Sequence, residues 1–210
     1  MKPKNEGGGI AVTLWACRIT RPLTEAEEAF LTALLPPERR ARLERTRSAA
    51  RRREALCAYA ALLCALGERF GWRALPEVTR TAAGKPAFAQ HPDVHFSLSH
   101  TSGAVLVGVD CRPIGVDIEA IRPMRRAAML ALTGEETEEA FFRCWVRREA
   151  RVKRTGTGAS LRRELPETAG ERCCYVETFP GFAACAALTG GSGEPQVRRL
   201  DVDALLARLG

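Results

Sequence analysis

The hexapeptide Ile114-Gly115-Val116-Asp117-Ile118-Glu119 sets two carboxylates two residues apart inside an apolar run. On a strand, alternate side chains point to opposite faces, so Asp117 and Glu119 share one face while Val116 and Ile118 enter the core. Two acids side by side repel each other unless water solvates both or a hard cation lies between them. Mg²⁺ suits the second case, because it takes a few carboxylates and completes its octahedron with water and phosphate oxygens. The hexapeptide alone leaves both readings open.

A second group lies in Trp145-Val-Arg-Arg-Glu-Ala-Arg-Val-Lys153. On a helix Trp145, Glu149 and Lys153 share a face, with Arg148 beside them. One carboxylate and two cations then reach one place, the mixture that a metal with a polyphosphate needs: Glu149 for the cation, Arg148 and Lys153 for the phosphates. The alternative is a surface ion pair between Glu149 and Lys153, worth about 0.2–0.5 kcal/mol. A third group, Phe96-Ser97-Leu98-Ser99-His100-Thr101, gathers a histidine and hydroxyls where a strand ends. These side chains can donate to a phosphate, or they form a hydroxyl-rich turn without chemistry. Neighbouring side chains diverge on a strand, so a serine nucleophile with its histidine base is not expected here.

A fourth group is a block with eight arginines between Arg39 and Arg53 and a single acid, Glu44. Most of it reads as a solvated helix face, but Arg39, Arg42 and Arg53 can lean over a phosphate site. The whole chain carries a net charge of +7, nearly all of it from arginine; lysine stands only at Lys2, Lys4, Lys85 and Lys153. The planar fork of arginine binds phosphate bidentately, and a basic protein favours acidic partners such as nucleic acid, anionic lipid, phosphorylated small molecules or acidic proteins. Against nucleic acid, the block has no interleaved aromatics and the chain has only 6% aromatic residues for base stacking.

These side chains need elements to hold them. With 210 residues, 46% of them apolar and 27% charged, the chain has room for one large domain or two small ones. That composition excludes wholesale disorder, collagen-like repeats and a fibrous chain. No apolar run reaches the roughly 18 residues that cross a bilayer. Met1–Gly9 has basic residues with no apolar stretch behind them, so no signal peptide is expected and a cytoplasmic protein is. The eight cysteines form no C-x-x-C and none pairs with histidine at zinc spacing, so they are expected to be reduced thiols of the core.

A buried strand is expected over residues 10–19. Thr24 and Glu27 form a capping box for a helix to about Leu35, which Pro36 and Pro37 stop. One long helix is expected from Glu38 to Phe70, ending at Gly67 and Gly71. Strands and turns follow from Val78 to Ile118, with turns at Ala83–Pro86 and Asp110–Pro113. A helix is expected from Glu135 to Arg154, two strands lie around Pro180-Gly181, and a short helix spans Asp203–Leu209. Each half mixes helix and strand in similar order, with the boundary near Arg112-Pro113.

Together and in this order the motifs resemble the 4'-phosphopantetheinyl transferases of the surfactin-synthetase-activating type. The resemblance rests on Gly84-Lys85-Pro86, Phe96 to His100, Gly115 to Glu119, and Trp145-x-x-Arg-Glu-Ala-x-x-Lys153 followed by Gly156-x-Gly158. It implies an α+β fold of two pseudo-symmetric halves, 1–112 and 113–210, each a small, mainly antiparallel sheet packed with helices. Coenzyme A would lie between them. It implies transfer of the phosphopantetheine arm to a serine of an acyl or peptidyl carrier protein, with release of 3',5'-ADP by a monomer. Asp117, Glu119 and Glu149 would hold Mg²⁺, with Glu149 the general base. Lys153 would neutralise the diphosphate with Arg148 and stabilise the leaving group. Gly84, Lys85 and Pro86 would line the adenine; Ser99, His100, Arg53, Arg39 and Arg42 would hold the 3'-phosphate and nearby groups. The chain departs from the family pattern where Arg148 replaces the usual lysine, so acid catalysis is not expected there, since arginine does not readily release its proton. It departs also at Ser97 (usually asparagine), at Thr101 (usually serine) and in a short stretch between Glu119 and Trp145, where Thr133-Gly134-Glu135-Glu136 is the trace of the usual connector. A coenzyme A-binding relic and a basic nucleic-acid-binding protein are the rival classes.

Overall fold

A computed structural model describes residues 11–157, 166 and 168–210; Ile10 of the expected first strand, Gly158 of the last motif and the Met1–Gly9 segment lie outside these. The chain opens with β1 (Thr13–Arg18), α1 (Glu25–Ala33), α2 (Pro37–Glu44) and α3 (Ala49–Phe70). Five strands follow: β2 (Val78–Arg80), β3 (Pro86–Phe88), β4 (His95–Thr101), β5 (Ala104–Asp110) and β6 (Gly115–Ala120). Then come α4 (Arg126–Thr133), α5 (Glu138–Thr155), β7 (Glu171–Tyr175), β8 (Phe182–Thr189), β9 (Gln196–Asp201) and α6 (Val202–Ala207). Small sheets packed with helices make this a mixed α+β fold.

The capping box at Thr24 forms as expected, with Thr24 Oγ1 accepting from Glu27 N and Glu27 accepting from Thr24 N. The expected single helix from Glu38 to Phe70 is two. Ser48 caps α3 by accepting from Arg51 N, and its backbone stays extended, which interrupts the helix between Glu44 and Ala49. Serine competes for helical N–H donors, and α2 has little apolar stripe to hold a continuous rod in place. Two further elements were not expected. α4 buries a single residue, Met129, and β9 carries Arg198, Arg199 and Asp201, so neither shows the periodicity that announces an element.

The first sheet has the order β4-β5-β1-β9, with β9 parallel to β1 and the other pairs antiparallel; the second has the order β6-β8-β7, all antiparallel. Strand alternation sorts their side chains into three cores. Trp15 and Cys17 of β1 face α3, while Leu14 and Ala16 face the second sheet. Ala184, Ala186 and Leu188 of β8 meet that inner face, while Ala183, Cys185 and Ala187 turn outward to α5. The layers therefore run α3, first sheet, second sheet, α5. Residues 196–207 join the first sheet and its core: β9 pairs with β1, and Val202 and Leu205 pack beneath α3. Cys17, Cys57, Cys174 and Cys185 are buried thiols, and burial pushes Cys57 up to about 12, which suits an inert core role.

One contact fixes the distance between strand and helix on the outer layer. A Cβ on Gly115 would stand 1.9 Å from the Ala150 carbonyl oxygen and 2.3 Å from Arg154 N. Only glycine lets the α5 backbone lie directly on the start of β6. Two residues further along β6 on the same face stands Asp117.

Candidate functional site

β4 is the edge of the first sheet and β6 the edge of the second, and hydroxyl side chains rather than a backbone ladder join them. Ser97, Ser99 and Thr101 share one face of β4 by strand alternation. Val116 N donates to Ser97 Oγ at 3.0 Å, Ser99 Oγ donates to Asp117 Oδ1 at 2.7 Å, and Thr101 Oγ1 donates to Glu119 Oε2 at 3.1 Å. The hydroxyl-rich segment thus has a definite use: it locks the acidic strand to its neighbour.

From α5, Lys153 Nζ donates to Asp117 Oδ1 at 2.6 Å and to Ser99 Oγ at 2.9 Å. Asp117 is 3% exposed. Burial raises its carboxyl, the Lys153 ammonium and the Ser99 hydroxyl pull it back, and Glu119 pushes it up again. Burial likewise raises Glu149, and Asp117 and Glu119 both act on it, so the strand acids and the helix acid feel one another. Glu119 also accepts from Arg122 Nη1 at 3.2 Å.

The donor set fits a hard divalent cation. Asp117 Oδ2 is buried and has no hydrogen-bond partner, and a buried acceptor left unpaired is costly. Glu119 and Glu149 act on Asp117 electrostatically, and carboxylate oxygens are the donors Mg²⁺ prefers. Among the described residues no three such groups are already drawn together as a metal-holding cluster; the Lys153 ammonium stands against Asp117 instead.

Two cavities share Pro86 and Leu98 in their walls, and the smaller reaches the cluster through Ser97 and Lys153. The smaller, of about 280 Å³, is lined by Gly84, Lys85 and Pro86 from one side and by Ser97, Val152 and Lys153 from the other. The larger, of about 440 Å³, has Arg39, Arg42, Arg51, Arg80 and His100 in its wall. His100 Nδ1 lies 3.1 Å from Glu54 Oε2, a pair that orients the ring.

Most of the residues singled out in the sequence are brought together here, and two are not. Arg148 donates from Nη1 to the Leu132 carbonyl at the end of α4 and lines neither cavity. Arg53 lines neither cavity, and its Nε is buried without a partner. The Lys85 side chain lines the smaller cavity, but its ammonium is engaged with the carbonyls of Ile114 and Arg154, each at 2.9 Å. Burial, and then the charge of Arg154, lowers Lys85 to about 8. Arg51, Arg80 and Glu54 were missed. The period-two spacing of Ser97, Ser99 and Thr101 could have revealed the role of Thr101; nothing local singles out Arg80, which lies far along the chain from the arginine block.

No protein-family model matches the chain. Among curated proteins it is similar to the 4'-phosphopantetheinyl transferase Sfp of Bacillus subtilis, with 30% identity over 50% of this chain and 60% of that protein. It is similar to the 4'-phosphopantetheinyl transferase psf-1 of Bacillus pumilus, with 38% identity over 37% of this chain and 38% of that protein. It is similar also to the 4'-phosphopantetheinyl transferase AcpT of Salmonella typhimurium, with 33% identity over 53% of this chain and 67% of that protein. The matched region thus spans less than two thirds of the first two of these relatives.

Proposed function

The chain belongs to the 4'-phosphopantetheinyl transferase family, and we propose that it transfers the phosphopantetheine arm of coenzyme A to a serine of an acyl or peptidyl carrier protein. The observation that supports this reading is Lys153 of α5 bonded to Asp117 of β6 at a cavity wall, with Glu149 of α5 electrostatically coupled to Asp117 and Glu119. An anionic diphosphate must be held, attacked and split, and that needs cations for the substrate and carboxylates for a metal and a proton.

In this reading Arg39, Arg42, Arg51 and Arg80 receive the 3'-phosphate with His100, which Glu54 orients. The adenine lies along Gly84–Pro86. Asp117, Glu119 and Glu149 would hold Mg²⁺, which would supply Lewis-acid stabilisation of the diphosphate charge. Glu149 accepts the proton of the carrier serine as its oxygen attacks the β-phosphorus of coenzyme A. The bond from that phosphorus to the bridging oxygen breaks, and 3',5'-ADP leaves with the oxygen. Lys153, held by Ser99, neutralises the charge that develops there. The two sheets serve as pseudo-symmetric halves divided near residue 112, with 196–207 returned to the first, and the enzyme works as a cytoplasmic monomer. An acidic carrier suits the net charge of +7.

The test is to incubate the chain with coenzyme A, Mg²⁺ and an apo carrier protein and to weigh the carrier. A mass gain of one phosphopantetheine arm supports the reading. An unchanged carrier, tried across acyl and peptidyl types, contradicts it.

A further inference from the structure

Lys85 is expected by resemblance to line the adenine, yet its amine points elsewhere. Nζ donates at 2.9 Å to the Ile114 carbonyl, one residue before β6, and at 2.9 Å to the Arg154 carbonyl, in the last turn of α5. Those are the two elements that carry Asp117, Glu149 and Lys153. The side chain begins in the turn of residues 81–86, closed by Thr81 N donating to the Lys85 carbonyl and Gly84 N donating to the Thr81 carbonyl. One side chain therefore crosses from the wall of the smaller cavity to the backbone beneath the acidic cluster.

The chemistry of the contact is specific. The last carbonyls of a helix have no partner within it, and the negative end of the helix dipole favours a cation. Gly156 ends α5 with φ +71, and a Cβ there would stand 2.8 Å from Lys85 Cβ, so the helix end and the lysine stem lie directly against each other. The same cavity wall contains Lys153, one residue before Arg154. A shift of the 81–86 turn would therefore change the gap between that turn and Lys153.

We propose that Lys85 is a positioning residue: its ammonium clasps the 81–86 turn to β6 and the end of α5, and so sets the spacing between the nucleoside-binding wall and the diphosphate-binding cluster. The proposal rests on the coenzyme A reading given above. The ligand it positions is an adenine nucleotide long enough to span from the turn to Lys153. Without the clasp each wall keeps its own residues, but the two are no longer held at one separation.

Lys85→Met keeps the stem and removes the donor. Coenzyme A affinity, measured by calorimetry without carrier, is expected to fall about tenfold or more, the scale of losing charge-assisted hydrogen bonds. The Michaelis constant for coenzyme A should rise in step, with a smaller change in kcat at saturation. Lys85→Arg, which restores a cation with several donors, should recover much of the loss. Lys85→Gln keeps an uncharged amide donor and should fall between, which keeps the comparison with wild type available should Lys85→Met fail to fold. Unchanged coenzyme A affinity in folded Lys85→Met or Lys85→Gln, with only Tm lowered, overturns the clasp and leaves the transferase reading standing. Failure of the wild-type chain to bind coenzyme A overturns the transferase reading and the clasp with it.

Discussion

The arginine-lined cavity and the carboxylate cluster are neighbours built by opposite means. The cavity is walled by long side chains from α2, α3 and the strands after them, reaching in from several directions. The cluster is held by short connections: Gly115 against the α5 backbone, three hydroxyls of β4 across to β6, and Lys153 on Asp117. Loosely gathered cations suit binding, where a shared charge tolerates small displacements. Closely fixed acids suit reaction, where a misplacement of about 1 Å can cost a hundredfold in rate. Changes in the first region should therefore move affinity, and changes in the second should move turnover.

The largest expected effect is in the second region. Asp117→Ala should lower the transfer rate by roughly a hundredfold or more, with a much smaller change in coenzyme A affinity; steady-state rates beside calorimetry check both. Gly115→Ala probes the packing that brings strand and helix together. The added methyl collides with the α5 backbone, so a loss of about 1–3 kcal/mol of stability is expected, read as a lower urea midpoint. Transfer should fall further than the unfolded fraction explains, because Glu149 and Lys153 move with α5.

Acid should also weaken the packing behind α5. Glu171 is buried against Arg151 and Arg154; burial raises its carboxyl, but the hydrogen bonds from Arg151 and Thr168 outweigh that and lower it from 4.5 to about 2. A depressed folded pKa gives stability that is present above about 4.5 and lost as pH falls toward 2. Urea midpoints across that window should fall less steeply in Glu171→Gln than in wild type. The smallest effect should belong to the cavity: Arg42→Ala should weaken coenzyme A binding by about tenfold at most, leaving kcat at saturation unchanged. An equal loss of kcat in Arg42→Ala would break the division between the two regions.

The same contrast governs what the sequence reveals. Asp117, Glu119, Glu149 and Lys153 are legible because strand and helix periodicity put them on defined faces, and each lies in a strongly patterned element. The arginine cavity is legible only as an excess of charge. Arg39 and Arg42 line it while Arg53 does not, because Ser48 breaks the expected long helix and turns the two arginine groups independently. Arg148 looks like a phosphate ligand from its place beside Glu149, but α4, which the pattern does not announce, supplies the Leu132 carbonyl that takes its guanidinium. β9 is hidden for a related reason. An edge strand with charged side chains is defined by its partner β1, far away in the chain, rather than by its own alternation.

The most direct test joins both regions in one variant. Glu149→Gln removes the proposed proton acceptor and one metal carboxylate while leaving the arginine cavity untouched. With coenzyme A, Mg²⁺ and an apo carrier, wild type should load the carrier in single-turnover transfer, and Glu149→Gln should be slowed by roughly a hundredfold or more while still binding coenzyme A. Transfer by Glu149→Gln at the wild-type rate would contradict the assignment of the strand and helix acids to the reaction.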